Sequence, residues 1–265
     1  MKKTNVLFHA DDYGSNPEMS ENILKCIKKG LVNSVSVLID NDFKVHKKLK
    51  NIEGVNIRLH LNLTELKSKS INKTKFLKNL TFIKLLILSK NKKQIVYHEI
   101  DRQIKKFKKI YKPKIFRIDG HEHIHMIPWI FNYLLKNRNK YKIKQIRNSN
   151  EIIMSPRVND FLKLSYYRNL LACLLLKFFY HYNPKNYYNS PQFAGMIYSG
   201  NQNFETIIKT LDNLKKKKIK NCEILIHPGF NKFKKNYSKF QNSKNRKIEY
   251  NLCFFEGLRN EIRKF

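Results

Sequence analysis

The 265-residue chain is short of the residues that build special architectures. Eight Gly and seven Pro exclude a collagen-like or linker-dominated chain. Four cysteines (Cys26, Cys173, Cys222, Cys253) lie far apart with no CxxC pair. That spacing speaks against a zinc knuckle or a disulfide framework and predicts reduced, buried thiols. Long apolar runs are missing as well. The longest, Leu170–Leu176, falls far short of the ~20 residues a membrane span needs. The N-terminal apolar stretch is very short and runs into Asp11-Asp12, so no signal peptide is expected and a cytoplasmic protein is. Negative charge is scarce beside positive: Asp+Glu number 20 against Lys+Arg 54, a formal net charge of +34.

What is present points to a folded enzyme. A hydrophobic share of 42% and an aromatic share of 12% exclude a disordered basic tail. The basic excess has a compositional explanation. There are 44 Lys, 31 Asn and 29 Ile, all encoded by A/T-rich codons, while Arg, the better bidentate reader of phosphates and bases, numbers ten. No specific nucleic acid is therefore expected as a partner. The greasiest region, Phe161 to Tyr182, carries Lys163, Arg168 and Lys177. Peripheral contact with the inner membrane surface through 161–182 is a second expectation.

Short apolar strands alternate with helical segments. Strands are predicted at Asn5–His9, Ser34–Ile39, Val55–Leu61, Ile115–Ile118, Lys144–Arg147, Phe193–Tyr198 and Cys222–Ile226. Asn16-Pro17-Glu18 opens a helix that Gly30 closes. Further helices are predicted at about 76–89, 92–111, 127–140, 160–180, 203–217 and 245–263, the last with Ile248, Leu252, Phe255 and Leu258 as a core stripe. The loop Asn231–Asn245 reads as polar and mobile, and Lys67–Lys93 and Ser149–Ser190 read as insertions. The alternation predicts one α/β domain over 1–265, a distorted TIM-like (β/α) barrel of about seven parallel strands with helical insertions.

The unusual polar residues all fall at predicted strand C-terminal ends, where a barrel builds its site. Asp11-Asp12 follow the first strand, His60 closes the third, Asp119 and His121-Glu122-His123-Ile124-His125 follow the fourth, and His227-Pro228-Gly229 follow the seventh. Adjacent carboxylates can divide labour, one binding a cation and the other taking a proton from water. If the 121–125 segment is extended, alternation puts its three imidazoles on one side. Asp12, His60 and His121 offer one carboxylate and two imidazoles, a set that leaves a divalent ion an open position. A cleft histidine such as His227 could hand a proton to a leaving group. His9, His46, His98 and His181 have no partners nameable from sequence and are read as structural or surface residues.

These motifs resemble a known family. His9-Ala10-Asp11-Asp12-Tyr13-Gly14, Leu59-His60-Leu61-Asn62-Leu63-Thr64, Asp119-Gly120-His121-Glu122-His123-Ile124-His125-Met126-Ile127-Pro128 and Ile226-His227-Pro228-Gly229 are similar to the YdjC-like carbohydrate deacetylases, from about residue 4 to 230. Ser190-Pro191-Gln192-Phe193-Ala194-Gly195-Met196 followed by Ser199-Gly200 looks more like the HpnK-type branch than the diacetylchitobiose branch. The resemblance implies metal-dependent removal of an acetyl group from an N-acetylated sugar. Carried over, Asp12, His60 and His121 hold one divalent ion, Mg or Zn. Asp11 is the general base and His227 the general acid. His125 lines the sugar pocket, and His123, Asn62 and Arg147 join it as expected substrate contacts. Tyr13 and Gly120 stand where Phe and Ser are common.

Two other readings stay open at this stage. A metal phosphoesterase or amidohydrolase would use similar histidines on a barrel, though it usually needs more acidic ligands. A non-enzymatic protein could use the +34 charge on nucleic acid or anionic membrane. A homodimer is a further expectation, and the sugar is not fixed by the sequence.

Overall fold

The structure, a computed structural model, describes residues 5–40, 43–65, 75–153, 162–185, 190–230 and 244–263. Seven strands are formed: β1 (Asn5–Tyr13), β2 (Ser34–Val37), β3 (Asn56–Leu61), β4 (Phe116–Gly120), β5 (Ile143–Ile146), β6 (Gln192–Ala194) and β7 (Asn221–Ile226). All pair in parallel in the order β5-β4-β3-β2-β1-β7-β6. Parallel strands need crossover helices on the outside, and most strand residues are accordingly buried, apolar ones alongside polar ones such as Ser34, Arg58 and Glu223. The sheet curls into a half-barrel, which makes the fold an α/β distorted TIM-like barrel. Its two edges meet through side chains. The Asn148 N–H donates to Ser190 Oγ at 2.8 Å, and Gln192 Nε2 donates to the Asn150 carbonyl at 2.9 Å.

The helices are α1 (Pro17–Lys28), α2 (Phe43–Lys50), α3 (Lys75–Lys78), α4 (Phe82–Leu86), α5 (Lys90–Tyr111), α6 (Pro128–Lys136), α7 (Arg138–Tyr141), α8 (Leu164–Tyr182), α9 (Phe204–Lys216), α10 (Lys244–Leu252) and α11 (Glu256–Arg263). The α1 signals act as expected. Asn16 Oδ1 accepts from the Met19 N–H at 2.9 Å, Pro17 takes the first helical position, and Gly30 sits past the end at φ +87°.

Some boundaries differ from the sequence pattern for local reasons. The 76–89 helix is two pieces, because Thr81 caps a new start: its Oγ1 accepts from the Lys84 N–H at 3.3 Å. The 245–263 helix breaks at Cys253–Phe255, so its predicted core stripe splits. Leu252 and Leu258 are buried, while Ile248 and Phe255 are about half exposed. Helix α2 was not legible, since its eight residues include four Lys. The Asn231–Asn245 loop lies outside the described residues except for its last two positions.

Candidate active site

The site begins with how β1 ends. Strand alternation puts His9 and Asp11 on the inward face and would turn Asp12 outward. Instead the register with β2 slips between Ala10 and Tyr13, and Asp12 adopts φ +69°, a left-handed conformation uncommon outside Gly and Asn. Asp12 therefore turns towards His60 and His121, while Asp11 stays beside them with His9 and Asp119. Gly14 makes the following turn possible: its φ is +86°, and a Cβ there would stand 2.5 Å from the Leu38 carbonyl oxygen.

On the neighbouring strands, register sets the contact. His60 of β3 is the Cα partner of Asp119 of β4, and His60 Nδ1 lies 2.7 Å from Asp119 Oδ1. A carboxylate accepts, so the imidazole proton is fixed on Nδ1 and Nε2 is left facing Asp12 Oδ1 at 3.6 Å. His121, the first residue after β4, brings Nδ1 to 3.0 Å from Asp12 Oδ1, and its Nε2 lies 3.5 Å from Glu65. Asp12, His60 and His121 thus offer one ligand atom each within 4.8 Å of one another, nearly or fully buried. Two imidazoles and a carboxylate, one imidazole already oriented by a second carboxylate, form a donor set that could hold a divalent cation. The residues fit the group that the sequence motifs implied.

The 121–126 segment is not extended. It is a 3₁₀ turn in which Glu122 and His123 take positive φ (51° and 56°), so its three histidines diverge. His121 faces Asp12. His123 Nδ1 lies 2.8 Å from Ser149 Oγ, and its Nε2 is 3.2 Å from Met196 Sδ. His125 is fully buried and donates from Nε2 to the Arg147 carbonyl at 3.1 Å. Burial pushes His125 down to about 4, so it is neutral.

Asp11 sits beside this centre without joining it. Arg147, just past β5, grips both Asp11 oxygens at 2.9 and 3.1 Å, and also reaches Asp119 at 3.0 Å and Glu223 at 2.7 Å. His9 Nε2 lies 3.0 Å from Asp11 Oδ1. Burial alone would raise the Asp11 carboxyl; the Arg147 guanidinium and His60 instead hold it well below the usual carboxylate range. His9, Asp11 and Asp119 also cluster closely enough to suggest a cation, but Arg147 already supplies the positive charge there. Arg147 is 1% exposed, and its guanidinium, held by these carboxylates, also lies over the Phe193 ring at 5.6 Å. Asn62 spends its side chain on the loop after β3. Its Oδ1 accepts from the Thr64 and Glu65 N–H groups at 3.2 and 3.0 Å, which carries Glu65 towards His121.

The third part comes from the turn after β7. His227 is buried, and burial with Arg246 nearby lowers it to about 4. Helix α10 holds this turn. Glu249 accepts from the His227 N–H at 2.5 Å, with its Oε2 3.9 Å from His227 Nδ1. Burial pushes Glu249 up to about 7. Arg246, one helical turn earlier, donates to Asp12 Oδ2 at 2.6 Å and to the Gly229 carbonyl at 3.0 Å.

Several of these residues escaped the sequence reading. The sequence names no partner for His9, yet its ring lies 2.7 Å from both Ser34 and Ser36 hydroxyls and touches Asp11. Its position two residues before Asp11 in a strand was the available signal. His46 of α2 likewise meets Tyr111 Oη of α5 at 2.9 Å. Arg58 and Glu223, paired inside the barrel, sit in apolar strands without a motif. Arg246 and Glu249 lie at i, i+3 on a helix that follows a long polar stretch, which is a surface pattern on its face.

Comparison with known proteins gives the family and the fold. A carbohydrate deacetylase of Mus musculus is 23% identical over 158 residues, a match spanning 55% of this chain and half (50%) of that curated relative's length. A crystal structure of an Enterococcus faecalis V583 protein, described as a candidate for cellobiose-phosphate cleavage, superposes with a TM-score of 0.69. It covers 99% of this chain and 95% of that one at 18% identity, a likeness of fold. The family model for YdjC-like proteins matches residues 5–264, and the chain belongs to that family.

Proposed function

We propose that the protein is a metal-dependent carbohydrate deacetylase that hydrolyses the acetamide of an N-acetylated sugar or glycoconjugate. The observation that carries this is the convergence of Asp12, His60 and His121 beside a separate, ionised Asp11, in a chain of the YdjC-like family. Asp12, His60 and His121 would hold one divalent ion. Their two nitrogen donors suit Zn better than Mg, which prefers oxygen ligands. Bound there, the ion supplies Lewis-acid polarisation of the amide carbonyl and acidification of water.

The chain's own residues do the rest. Asp11, kept ionised by Arg147, takes a proton from the attacking water as the new C–O bond forms. The C–N bond then breaks, and His227 passes a proton to the departing nitrogen, giving acetate and a free amine. A neutral imidazole donates only after taking up a proton, and Glu249 is the adjacent acid that supports this. Arg147 and His125, the more deeply buried pair, would act as positioning residues, and Asn62 and His123 remain the candidate sugar contacts of this reading. The 190–200 segment supports an HpnK-type assignment within the family, and so a glycoconjugate over a free disaccharide.

The test is acetate release from N-acetylglucosamine-containing substrates after chelation and re-addition of Zn or Mg, with phosphate release from sugar phosphates as the control. Asp11→Asn keeps the bound metal and loses turnover; Asp12→Asn loses both. Phosphate release without acetate, or full activity in the chelated protein or in Asp11→Asn, would refute the assignment.

A further inference from the structure

Helix α8 is apolar on two opposite sides. One side, with Tyr166, Cys173, Leu176 and Phe179, is buried. The other faces solvent: Leu164 is 85% exposed, Leu171 69%, Leu174 49% and Phe178 53%. At about 100° per residue these four fall within one narrow stripe, extended by Tyr167 and Tyr182. A helix apolar all round is normally buried, and one at a surface normally turns polar residues outward. Exposed Arg168 borders the stripe on one side, and Lys163 and Lys177 border it on the other. Helix α4 packs beside α8 by stacking Phe82 on Phe179, and it too exposes apolar residues, Ile83 at 71% and Ile87 at 80%.

The charge around this face narrows what can cover it. The sequence has no Asp or Glu between Glu65 and Glu99, nor between Asp160 and Glu205, and these stretches contain both helices. A second copy of the chain would bring the same basic border and another +34 of net charge against it. A negatively charged surface with an apolar interior complements both features, because Lys and Arg side chains can snorkel to phosphates while Leu and Phe enter the acyl boundary. Among the described residues no helix is long and apolar enough to cross a membrane, so contact would be peripheral.

We propose that the α8 face, aided by α4, docks the protein on an anionic phospholipid bilayer. The segments carrying both helices leave the sheet at the C-terminal ends of β5 and β3, the end of the sheet that carries His60 and Arg147. At the end of α8, Asn183 Nδ2 donates to the Met126 carbonyl at 2.8 Å, which ties the helix to the 121–126 turn that carries His121. The proposal stands independently of the chemistry of that site.

The test is co-sedimentation of the full chain with phosphatidylcholine vesicles and with equal mixtures of phosphatidylcholine and phosphatidylglycerol. Binding to the mixed vesicles only is expected, weakening with salt. The variant Leu171→Asn/Leu174→Asn/Phe178→Asn, checked for an unchanged urea midpoint, is expected to bind at least about tenfold less. In a separate variant, Phe178→Trp, the added fluorescence should shift to the blue on mixed vesicles. Absence of vesicle binding, equal binding by parent and triple variant, or an unshifted Trp would overturn the proposal. So would a parent dimer that the triple variant abolishes without any vesicle binding, since a second copy would then cover the face.

Discussion

The most exposed consequence of this structure is what happens when Arg147 is replaced by Met. Its guanidinium lies within 3.1 Å of Asp11, Asp119 and Glu223, and all four side chains are at most 5% exposed. Methionine keeps much of the volume and removes the charge, so three buried carboxylates face one another with less compensation. Arg58 still pairs with Glu223 and His60 with Asp119, but Asp11 keeps only His9 and the more distant His60. Breaking a buried pair of this kind costs about 3–5 kcal/mol.

The sign of the pH dependence follows. Asp11 and Asp119 are depressed in the folded parent, so they stabilise it above their unfolded values near pH 4, and that stability is lost as pH falls through the folded values. In Arg147→Met the same groups, buried without their counter-charge, are raised above the unfolded values, so acidification relieves the variant. The deficit should shrink between pH 7 and pH 4. Urea unfolding, followed by the single Trp (Trp129) and by far-ultraviolet circular dichroism, measures it. Glu223→Gln completes a double-mutant cycle, and a coupling of about 1–3 kcal/mol is expected for groups in direct contact. A loss under about 1 kcal/mol, or a deficit that grows on acidification, would refute the view that Arg147 neutralises the barrel interior.

Two further perturbations test other groups. Glu249→Gln should lower kcat about 10–100-fold on an N-acetylated substrate, distort the pH profile and leave metal content unchanged, because Glu249 holds His227 and touches none of the three proposed ligands. An unaltered pH profile with only a lower urea midpoint would make Glu249 merely structural. Glu151 is buried against the Gly195 and Ile197 N–H groups, and burial raises it to about 7. A raised carboxylate stabilises the fold below its unfolded value and loses that contribution as pH climbs through the folded one. The stability difference between Glu151→Gln and the parent should therefore move in the variant's favour by about 3 kcal/mol from pH 4 to pH 8, and a pH-independent difference would contradict the raised value.

The strands and the divided polar clusters were readable because both follow from local pattern. Parallel strands buried on both faces are apolar runs, and the residues that interrupt their C-terminal ends stand out against that background. What sequence pattern could not convey was direction. Alternation alone would have sent Asp12 away from Asp11, and only the register slip with its positive φ turns it back. The three histidines of 121–125 look equivalent in a string of letters, yet two left-handed residues between them send each to a different partner. Helix α10 was legible as a helix and illegible as part of the site, because its contribution depends on a contact across more than 200 positions, from Arg246 to Asp12.

The scarcity of acids now has a physical reading. Seven carboxylates are buried among the described residues: Asp11, Asp12, Glu99, Asp119, Glu151, Glu223 and Glu249. The buried residues with permanent positive charge are Arg58, Arg147 and Arg246, and no Lys is buried among the described residues. A guanidinium can engage two or three carboxylates at fixed geometry and stays charged when buried, whereas an ammonium is a strongly hydrated point charge that resists burial. Substitution towards Lys is thus free on the surface and forbidden inside. The basic excess is a property of the exterior that the interior charge balance does not share. Where the exterior departs from that pattern, on the apolar outer stripe of α8, an explanation other than composition is needed, because Leu171 and Phe178 leave more than half of their surface in water.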